Sequence, residues 1–334
     1  MNEMRDIINH LTSHKTLSSN EAHQILSDIA KGKYSEIEMA SFLTVYLMRS
    51  ITVEELTGFR NALLEHCLKV DLNQDDYIDL CGTGGDGKDT FNISTLASFV
   101  TAGTGAKVAK HGNYGVSSSC GSSNILEYFG YKFTNNQDNL QEQIDKAGIC
   151  FLHAPLFNPA MKNIAPIRKS LRVKTFFNML GPMVNPAFPK KQLVGVFSLE
   201  LARLYGYIYQ QSNKDFTIVH SLDGYDEISL TGDFKIISNK QEGIYSPEDI
   251  GFKKINAENI KGGITIDDSA RIFKNILEGN GTKEQQSVVE TNAAFAIQCY
   301  FNTSFEESLL MAQESIKSRK ALSSFDKLIE ISNK

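Results

Sequence analysis

Asp79-Leu80-Cys81-Gly82-Thr83-Gly84-Gly85-Asp86-Gly87-Lys88-Asp89-Thr90-Phe91-Asn92-Ile93-Ser94-Thr95 is the stretch that decides the fold of this 334-residue chain. The residues just before the first glycine are mostly apolar, which predicts a buried strand. Four glycines and two threonines then form a sharp loop, and the apolar run at residues 96–100 predicts a helix with Ser94 at its start. Glycine lets a backbone approach a phosphate closely, and the free N–H groups of a helix start point at negative charge. The stretch therefore predicts an anion-binding loop.

The loop matches neither of the two common nucleotide motifs in full. A Walker A loop ends in Gly-Lys-Ser/Thr, whereas Lys88 is followed here by Asp89. The glycines have the dinucleotide spacing, but residues 103–113 lack the carboxylate that this motif requires about twenty residues further on. The pattern favours phosphate binding and leaves a glycine-rich turn without a ligand as the alternative.

The length of 334 residues suggests two domains, or one large α/β domain with a smaller one attached. The content of 41% hydrophobic and 22% charged residues is ordinary for a soluble globular protein. The net charge of −5 and the lack of a basic run argue against nucleic acid as a partner. Five scattered cysteines without a Cys-x-x-Cys pair indicate reduced thiols. There is no signal-peptide pattern, and no apolar run reaches the ~18 residues of a membrane span. We therefore expect a cytoplasmic protein without a membrane partner.

Residues 1–68 predict a small helical domain. Capping boxes, in which Ser or Thr is followed three residues later by Glu, begin at Ser18, Ser35 and Thr52, each before an apolar helical run. With an earlier apolar face at residues 7–11, they predict four short amphipathic helices. We find no chemistry in this domain and expect it to serve as a scaffold or a dimer surface.

Residues 70–334 predict an α/β domain, because strand and helix patterns alternate there and this favours a largely parallel sheet. A strand at residues 106–109 leads into a polar loop, residues 110–123, which begins with Lys110-His111-Gly112-Asn113 and is rich in glycine and serine. Ligands of open α/β sheets collect at the carboxyl ends of strands, so we expect this loop and the glycine loop to converge. The alternative is a solvated linker.

Three carboxylates follow the predicted strand at residues 216–220, namely Asp223, Asp226 and Glu227. Mg²⁺ takes one or two protein carboxylates together with water and substrate phosphates, so this loop predicts a metal site. A solvated Asp-Gly turn is the alternative.

The segment at residues 154–168 holds three of the seven prolines, which predicts a bend where the chain crosses between domains. It ends at Arg168, and arginine is the side chain best shaped to hold a carboxylate through two parallel hydrogen bonds. A surface arginine on a helix is the alternative. Residues 175–182 are apolar around a tight turn and predict the wall of a small pocket.

Six motifs, in the following order, carry a resemblance to a known family: Gly82-Thr83-Gly84-Gly85-Asp86, Asn92-Ile93-Ser94-Thr95, Lys110-His111-Gly112-Asn113, Pro159-Ala160-Met161-Lys162, Phe177-Asn178-Met179-Leu180-Gly181-Pro182 and Asp223-Gly224-Tyr225-Asp226-Glu227. Over nearly its whole length the chain resembles the anthranilate phosphoribosyltransferases of tryptophan biosynthesis. The resemblance implies transfer of the phosphoribosyl group of 5-phosphoribosyl 1-pyrophosphate (PRPP) to the amine of anthranilate, giving N-(5-phosphoribosyl)anthranilate and pyrophosphate, with Mg²⁺ as cofactor.

The same resemblance implies the architecture. It is an α/β protein, in which a small N-terminal helical domain joins a large α/β domain with a mostly parallel central sheet, of the nucleoside phosphorylase/phosphoribosyltransferase type. A segment at about residues 160–185 would pack with the helical domain, and the chain would form a homodimer through that domain.

The matching motifs also imply which residues act. PRPP would be bound by Gly82, Gly85, Asp86, Thr90, Asn92, Ile93, Ser94, Thr95, Lys110, His111, Gly112, Asn113, Tyr114, Gly115, Val116, Ser117, Ser118 and Ser122. Mg²⁺ would be held by Ser94, Asp226 and Glu227. Anthranilate would meet Gly82, Asn113 and Arg168.

Three positions depart from the family pattern. Tyr114 follows Lys-His-Gly-Asn where the family usually has Arg, and Asn158 precedes Pro-Ala-Met where it commonly has His. The family's Gly-x-Arg-Thr is Arg172-Val173-Lys174-Thr175 in this chain. These departures border the acceptor side more than the phosphate side, so they bear on the choice of acceptor and not on the sugar donor.

The implied reaction calls for positioning and electrostatics, without a covalent nucleophile. The anthranilate amine is neutral at pH 7 and needs no strong base, whereas the leaving pyrophosphate needs metal and backbone N–H groups. Lys110 would face phosphate charge, and Arg168 would anchor the anthranilate carboxylate. Two alternatives stay open, a pyrimidine nucleoside phosphorylase of the same fold and a non-catalytic relative that binds nucleic acid, which the acidic net charge disfavours.

Overall fold

The structure, a computed structural model, describes residues 3–73, 76–115 and 120–334. The chain forms two compact units, Met1–Lys69 with Ala154–Pro186 and Val70–His153 with Ala187–Lys334. The first unit is helical and the second is an α/β unit, which confirms the predicted fold class. Within the described ranges, no helix is both long enough and apolar enough to cross a membrane.

The α/β unit is built on one seven-stranded sheet. Its strands are β1 (Ile78–Gly82), β2 (Val108–Gly112), β3 (Ile149–His153), β4 (Lys191–Gly195), β5 (Asp215–Ser221), β6 (Phe234–Ser238) and β7 (Glu242–Tyr245). They lie in the order β3-β2-β1-β4-β5-β6-β7, and the first five are parallel while β6 and β7 are antiparallel. The order reverses between β1 and β4, and ligands of open α/β sheets bind at such switch points, beyond the carboxyl ends of the strands.

The helices are α1 (Met4–Thr12), α2 (Ser19–Ala30), α3 (Glu36–Met48), α4 (Val53–His66), α5 (Ile93–Gly103), α6 (Ser122–Tyr128), α7 (Gln137–Ala147), α8 (Ala154–Phe157), α9 (Ala165–Leu171), α10 (Phe177–Leu180), α11 (Leu199–Gln210), α12 (Ile266–Leu277), α13 (Lys283–Phe301), α14 (Phe305–Lys317) and α15 (Lys320–Ser332). The helical unit contains α1–α4 and α8–α10, and the other helices belong to the α/β unit.

Local chemistry sets the starts of the helices in the helical unit. Ser18, Ser35 and Thr52 each accept a hydrogen bond from the backbone N–H three residues on, and the Glu at that position bonds back, so all three predicted capping boxes are confirmed. The core of the unit includes an aromatic group in which Phe176 stacks on Phe59, with ring centres 4.5 Å apart. Residues after β3 thus contribute to the same core as α4.

Helix α5 is the buried centre of the α/β unit. Its first residue, Ile93, is fully buried, as are Leu96, Phe99 and Val100, because the helix lies between the sheet and the C-terminal helices α13 and α15. Burial of each such side chain contributes on the order of 1.5–3 kcal/mol, so the helix has little freedom to shift. The start of α5, which follows the glycine loop, is therefore held rigidly against the end of β1.

Candidate active site

Three glycines of the loop after β1 adopt a backbone conformation that other residue types rarely take. Gly84, Gly85 and Gly87 have φ angles of +61°, +76° and +73°. A Cβ atom on Gly84 or Gly87 would have no other atom within 4 Å, so crowding next to the backbone is not what requires glycine there. The left-handed conformation itself requires it, and that conformation gives the loop its curvature.

The glycine loop contacts the acid loop that follows β5. The backbone N–H of Gly84 donates to Oδ2 of Asp226 over 2.6 Å. A Cβ atom on Gly82 would lie 2.5 Å from the same oxygen, and one on Gly195 would lie 1.5 Å from the carbonyl oxygen of Asp226. Only glycine at the ends of β1 and β4 lets the acid loop approach this closely, so Asp226 lies directly over the switch point of the sheet.

The start of α5 contacts the second acid of that loop. The N–H of Ser94, in the first turn of the helix, donates to Oε1 of Glu227 over 3.2 Å. Burial, with a smaller contribution from Asp86, raises the pKa of Asp226 to about 7. Burial also raises the pKa of Glu227 well above its usual range, and Asp226 and Asp86 add to this. A bound divalent cation would stabilise the ionised form of these crowded carboxylates.

These acids suit Mg²⁺ in number and chemistry. Asp226 and Glu227 each offer two carboxylate oxygens, and Mg²⁺ commonly completes its shell with water and substrate phosphates. In the part of the chain that the structure describes, no group of three or more His, Cys, Asp and Glu side chains is arranged to hold a metal ion.

The other predicted PRPP residues near the start of α5 are anchored in the fold. The side chains of Ile93 and Thr95 are buried, so only their backbone groups are available to a ligand. Thr90 forms an isolated antiparallel bridge with Lys261, which fixes the end of the glycine loop to the segment before α12.

The loop after β2 is closed tightly at its base. The carbonyl oxygen of Asn113 accepts hydrogen bonds from Ser123 N over 3.1 Å and from Ser122 Oγ over 3.2 Å. A Cβ atom on Gly112 would lie 2.4 Å from that Oγ. The end of β2 and the start of α6 are thus in direct contact.

Asn124 draws the two sides of the same loop together. Its Oδ1 accepts hydrogen bonds from Gly115 N and Gly121 N, each over 3.0 Å. Asn92, at the end of the glycine loop, donates to the carbonyl oxygen of Cys120 over 2.8 Å, so the loops after β1 and β2 are joined. Three predicted PRPP residues, Val116, Ser117 and Ser118, lie outside the described residues.

Lys110 has a different orientation from the one we expected. Its side chain is 2% exposed, and Nζ donates to the carbonyl oxygen of Leu80 in β1 over 2.6 Å. Burial lowers the pKa of Lys110, while the carboxylate of Asp79 acts in the opposite direction. The ammonium group lies between β1 and β2 in this structure, whereas we had expected it to face phosphate. His111, the next residue, is buried as well.

Family models and a named relative match this chain over nearly its whole length. The family model described as "Glycosyl transferase family, helical bundle domain" matches residues 5–67, and "Glycosyl transferase family, a/b domain" matches residues 74–322. A relative from Christiangramia forsetii, named anthranilate phosphoribosyltransferase, is 60% identical over 98% of this chain and 99% of its own length. The chain belongs to the anthranilate phosphoribosyltransferase family.

Solved structures of anthranilate phosphoribosyltransferases are similar over almost the full length. The enzyme from Thermus thermophilus has a TM-score of 0.91 at 29% identity, with 98% of this chain and 99% of that one covered. The enzyme from Saccharomyces cerevisiae, in complex with PRPP and Mg, has a TM-score of 0.90 at 27% identity, with 99% and 98% covered.

Tyr114 replaces the Arg that is usual in anthranilate phosphoribosyltransferases, and its neighbours hold it in place. Its hydroxyl donates to Oε1 of Glu127 over 3.2 Å, and its ring meets the imidazole of His153 edge-on, 5.0 Å between centres. His153 stacks on Phe133 at 4.2 Å and shares a 2.8 Å hydrogen bond with Ser123. Burial lowers the pKa of His153 to about 4, so the imidazole is neutral near pH 7.

Arg168 lies in α9 of the helical unit. One of its guanidinium nitrogens donates to Oδ1 of Asn178 over 3.3 Å, and the group lies 5.3 Å from the ring centre of Phe177. Burial lowers the pKa of Arg168. Among the described residues it forms no ion pair, so a partly buried cation is available for an anion.

The other two departures also lie in the helical unit. Asn158 is buried, and its amide donates to the carbonyl oxygen of Ala154 over 3.2 Å. Arg172 follows the last residue of α9 with a φ angle of +53°, at the position where the family motif has glycine.

Sequence reasoning missed two charged residues at the site. Lys88 lies over the ring of Tyr225, with Nζ 4.8 Å from the ring centre, so it links the glycine loop to the acid loop. Asp79 is fully buried in β1 and accepts a hydrogen bond from His111 N over 3.0 Å. The signal for Asp79 was a carboxylate in an otherwise apolar strand, whereas nothing local indicates the contact between Lys88 and Tyr225.

Proposed function

We propose that this chain transfers the phosphoribosyl group of PRPP to the amine of anthranilate, giving N-(5-phosphoribosyl)anthranilate and pyrophosphate in L-tryptophan biosynthesis. The observation that carries the proposal is the junction of the glycine loop, the start of α5 and the acid loop, in which Gly84 N meets Asp226 and Ser94 N meets Glu227. A site that combines left-handed glycines, a helix start and paired acids suits a polyphosphate with its metal.

The donor would be held mainly by backbone groups. The contacts that we propose are Gly82, Gly85, Asp86, Thr90, Asn92, Ile93, Ser94, Thr95, Lys110, His111, Gly112, Asn113, Tyr114, Gly115, Val116, Ser117, Ser118 and Ser122. Mg²⁺ would be held by Asp226, Glu227 and Ser94, and when bound it would neutralise charge on the leaving pyrophosphate. We propose the same residue ranges for the domains as the sequence predicted, with residues 1–68 helical and residues 70–334 α/β.

The chemistry needs no covalent nucleophile. A bond forms between the anthranilate nitrogen and ribose C1 as the bond from C1 to the pyrophosphate oxygen breaks, and the amine then loses a proton to solvent. Arg168 would hold the anthranilate carboxylate and so aim the amine, with Gly82 and Asn113 as the other acceptor contacts. The rate enhancement would come from orientation and from stabilising charge on pyrophosphate.

We also propose that the chain is a cytoplasmic homodimer that associates through the helical unit. Helix α3 is apolar on both faces, since Phe42 and Leu43 are buried while Ile37 and Met48 are 80% and 85% exposed. A helix that is apolar all round indicates that its second face is covered by a partner.

The dimer is tested with Ile37→Glu combined with Met48→Glu. We expect the wild type to sediment as a dimer and the double variant as a monomer, because two carboxylates on the apolar face oppose burial. Leu310→Glu, an exposed apolar residue of α14 in the other unit, is the matched control. A wild type that sediments as a monomer would refute this part of the proposal.

The reaction itself is tested by mixing the protein with Mg²⁺, PRPP and anthranilate and following the loss of anthranilate fluorescence. We expect the loss only when both PRPP and Mg²⁺ are present. Phosphate with a pyrimidine nucleoside in place of the two substrates tests the phosphorylase alternative. Constant fluorescence with all three components would refute the proposed function.

A further inference from the structure

The hydrogen-bond ladder between β1 and β2 stops early. Strand β1 pairs with β4 along all five of its residues, and β2 pairs with β3 in the same way, but β1 and β2 share the single register pair Ile78 and Val108. At that pair, Ile78 N donates to the carbonyl oxygen of Lys107 over 2.9 Å. The parallel register makes His111 N and the carbonyl of Leu80 the partners of a later rung.

Two charged side chains satisfy both groups of that missing rung. His111 N donates to Oδ1 of Asp79 over 3.0 Å, and the carbonyl oxygen of Leu80 accepts from Nζ of Lys110 over 2.6 Å. Each strand therefore bonds to a side chain of the other strand at the place where a backbone bond would have joined them. The two side chains take the place of a backbone rung between the strands.

Asp79 and Lys110 are 0% and 2% exposed. Buried charges are costly, and a simple backbone rung would satisfy the same groups without them. Gln192 donates to the other oxygen of Asp79 over 3.4 Å, which fixes the carboxylate from the side of β4. The charged pair lies directly below the two loops that begin at Gly82 and Asn113.

We propose that Asp79 is a positioning residue for the PRPP site: with Lys110 it replaces a backbone rung and sets the gap between the carboxyl ends of β1 and β2, so that the two donor loops open to the width of the polyphosphate. The inference rests on the proposed function, because it assigns the loops to PRPP. Asp79 acts through His111 and Lys110 and touches no substrate itself.

The test uses Asp79→Asn, which keeps an oxygen for His111 N but loses the charge facing Lys110, and Asp79→Leu, which loses both. Cys81→Ala is the matched control, because Cys81 also contacts Asp79 in β1 but satisfies neither group of the rung. Affinity for PRPP with Mg²⁺ is measured by calorimetry on the full-length protein. We expect a weakening of about tenfold for Asn and about 100-fold for Leu, with wild-type affinity for the control.

Two further readouts separate positioning from a general loss of stability. In Asp79→Asn, the KM for anthranilate at saturating PRPP should stay within about twofold of the wild type. In a Lys110→Met background, Asp79→Asn should weaken the affinity for PRPP by less than about a further twofold. Unchanged donor affinity in both Asp79 variants, an equal loss for both substrates, or additive effects with Lys110→Met would overturn the inference.

Hydrogen exchange of residues 108–112 tests the gap without any substrate. The His111 amide should exchange slowly in the wild type and in Asp79→Asn, and fast in Asp79→Leu. If the wild type fails to bind PRPP, the proposed function fails, and equal exchange in all three proteins would separately refute the role of Asp79 between the strands.

Discussion

In the proposed reaction, the loops of the α/β unit and the segment at residues 158–178 of the helical unit would contribute by different means. The loops present backbone N–H groups, and their geometry depends on glycines at Gly82, Gly84 and Gly195. The helical segment offers side chains, above all Arg168. A backbone site tolerates few changes of conformation, whereas a side-chain site can be altered one residue at a time. Two of the three departures from the family pattern fall in the helical segment, and the third, Tyr114, falls in the loop after β2.

The largest effect is expected from removing the two carboxylates that contact the glycine loop and the start of α5. Asp226→Asn with Glu227→Gln should lower turnover on the order of 100-fold or more at limiting Mg²⁺, because the leaving pyrophosphate loses its metal. The measurement is kcat as a function of Mg²⁺ concentration. Asp223→Asn is the control, because Asp223 lies in the same loop but bonds to Thr231 and not to the glycine loop. A normal metal titration of the double variant would reject the site.

We expect a smaller defect, confined to anthranilate, when Arg168 of the helical segment is replaced. Arg168→Ala should raise the KM for anthranilate about 30- to 100-fold, since a charge-assisted pair contributes roughly 2–3 kcal/mol, and should leave the KM for PRPP within about threefold. Lys169→Ala, the next cation along α9, is the control. An unchanged anthranilate KM would remove Arg168 from the acceptor site and would also undo the contrast between the two regions.

Sequence patterns predicted local structure well and long-range contacts less well. The capping boxes at Ser18, Ser35 and Thr52 depend on residues three positions apart, so the pattern itself contains the interaction. The bond from Gly84 N to Asp226 joins residues 142 positions apart, and only the resemblance to a family predicted that the glycine loop and Asp226 act at one site.

The orientation of Lys110 illustrates what the sequence could not supply. A lysine at a strand end beside a glycine-rich loop suggested a phosphate contact, but the gap between β1 and β2 draws its ammonium group to the carbonyl of Leu80. We propose that this gap depends on Asp79, thirty-one positions earlier in the chain, and no local pattern relates the two. The orientation of Lys110 would thus follow from a charged residue in the neighbouring strand and not from its own loop.

The neutral His153, which lies against Tyr114, predicts how the stability of the protein depends on pH. Burial lowers the pKa of His153 to about 4, and an unfolded histidine titrates near pH 6.5. Between these values the unfolded chain binds a proton that the folded chain does not, so stability falls as the pH falls through this window. The contribution is about 2–3 kcal/mol of unfolding free energy, lost between pH 7 and pH 4.

Chemical denaturation of the wild type and of His153→Gln across this pH range measures the contribution. The difference in unfolding free energy between the two proteins should shrink steadily as the pH falls, because the variant has no imidazole to protonate. His14→Gln, at an exposed position in the helical unit, is the control for replacing an imidazole with an amide. Parallel curves for the wild type and His153→Gln would mean that the imidazole under Tyr114 titrates alike in both states.

The smallest effect is expected at Arg172, which follows α9 in the left-handed backbone conformation that Gly84 and Gly87 adopt in the glycine loop. Its φ of +53° costs a residue with a Cβ atom about 1 kcal/mol, so Arg172→Gly should raise the free energy of unfolding by roughly 0.5–1 kcal/mol. Arg172→Ala retains the strain and should not be stabilised, which makes it the matched control in chemical denaturation. Equal stabilities of the two variants would show that α9 ends without strain. A stabilised glycine variant would mean that the helical segment tolerates a strained residue at Arg172, as the glycine loop does at Asp89, so a positive φ alone does not distinguish the two regions.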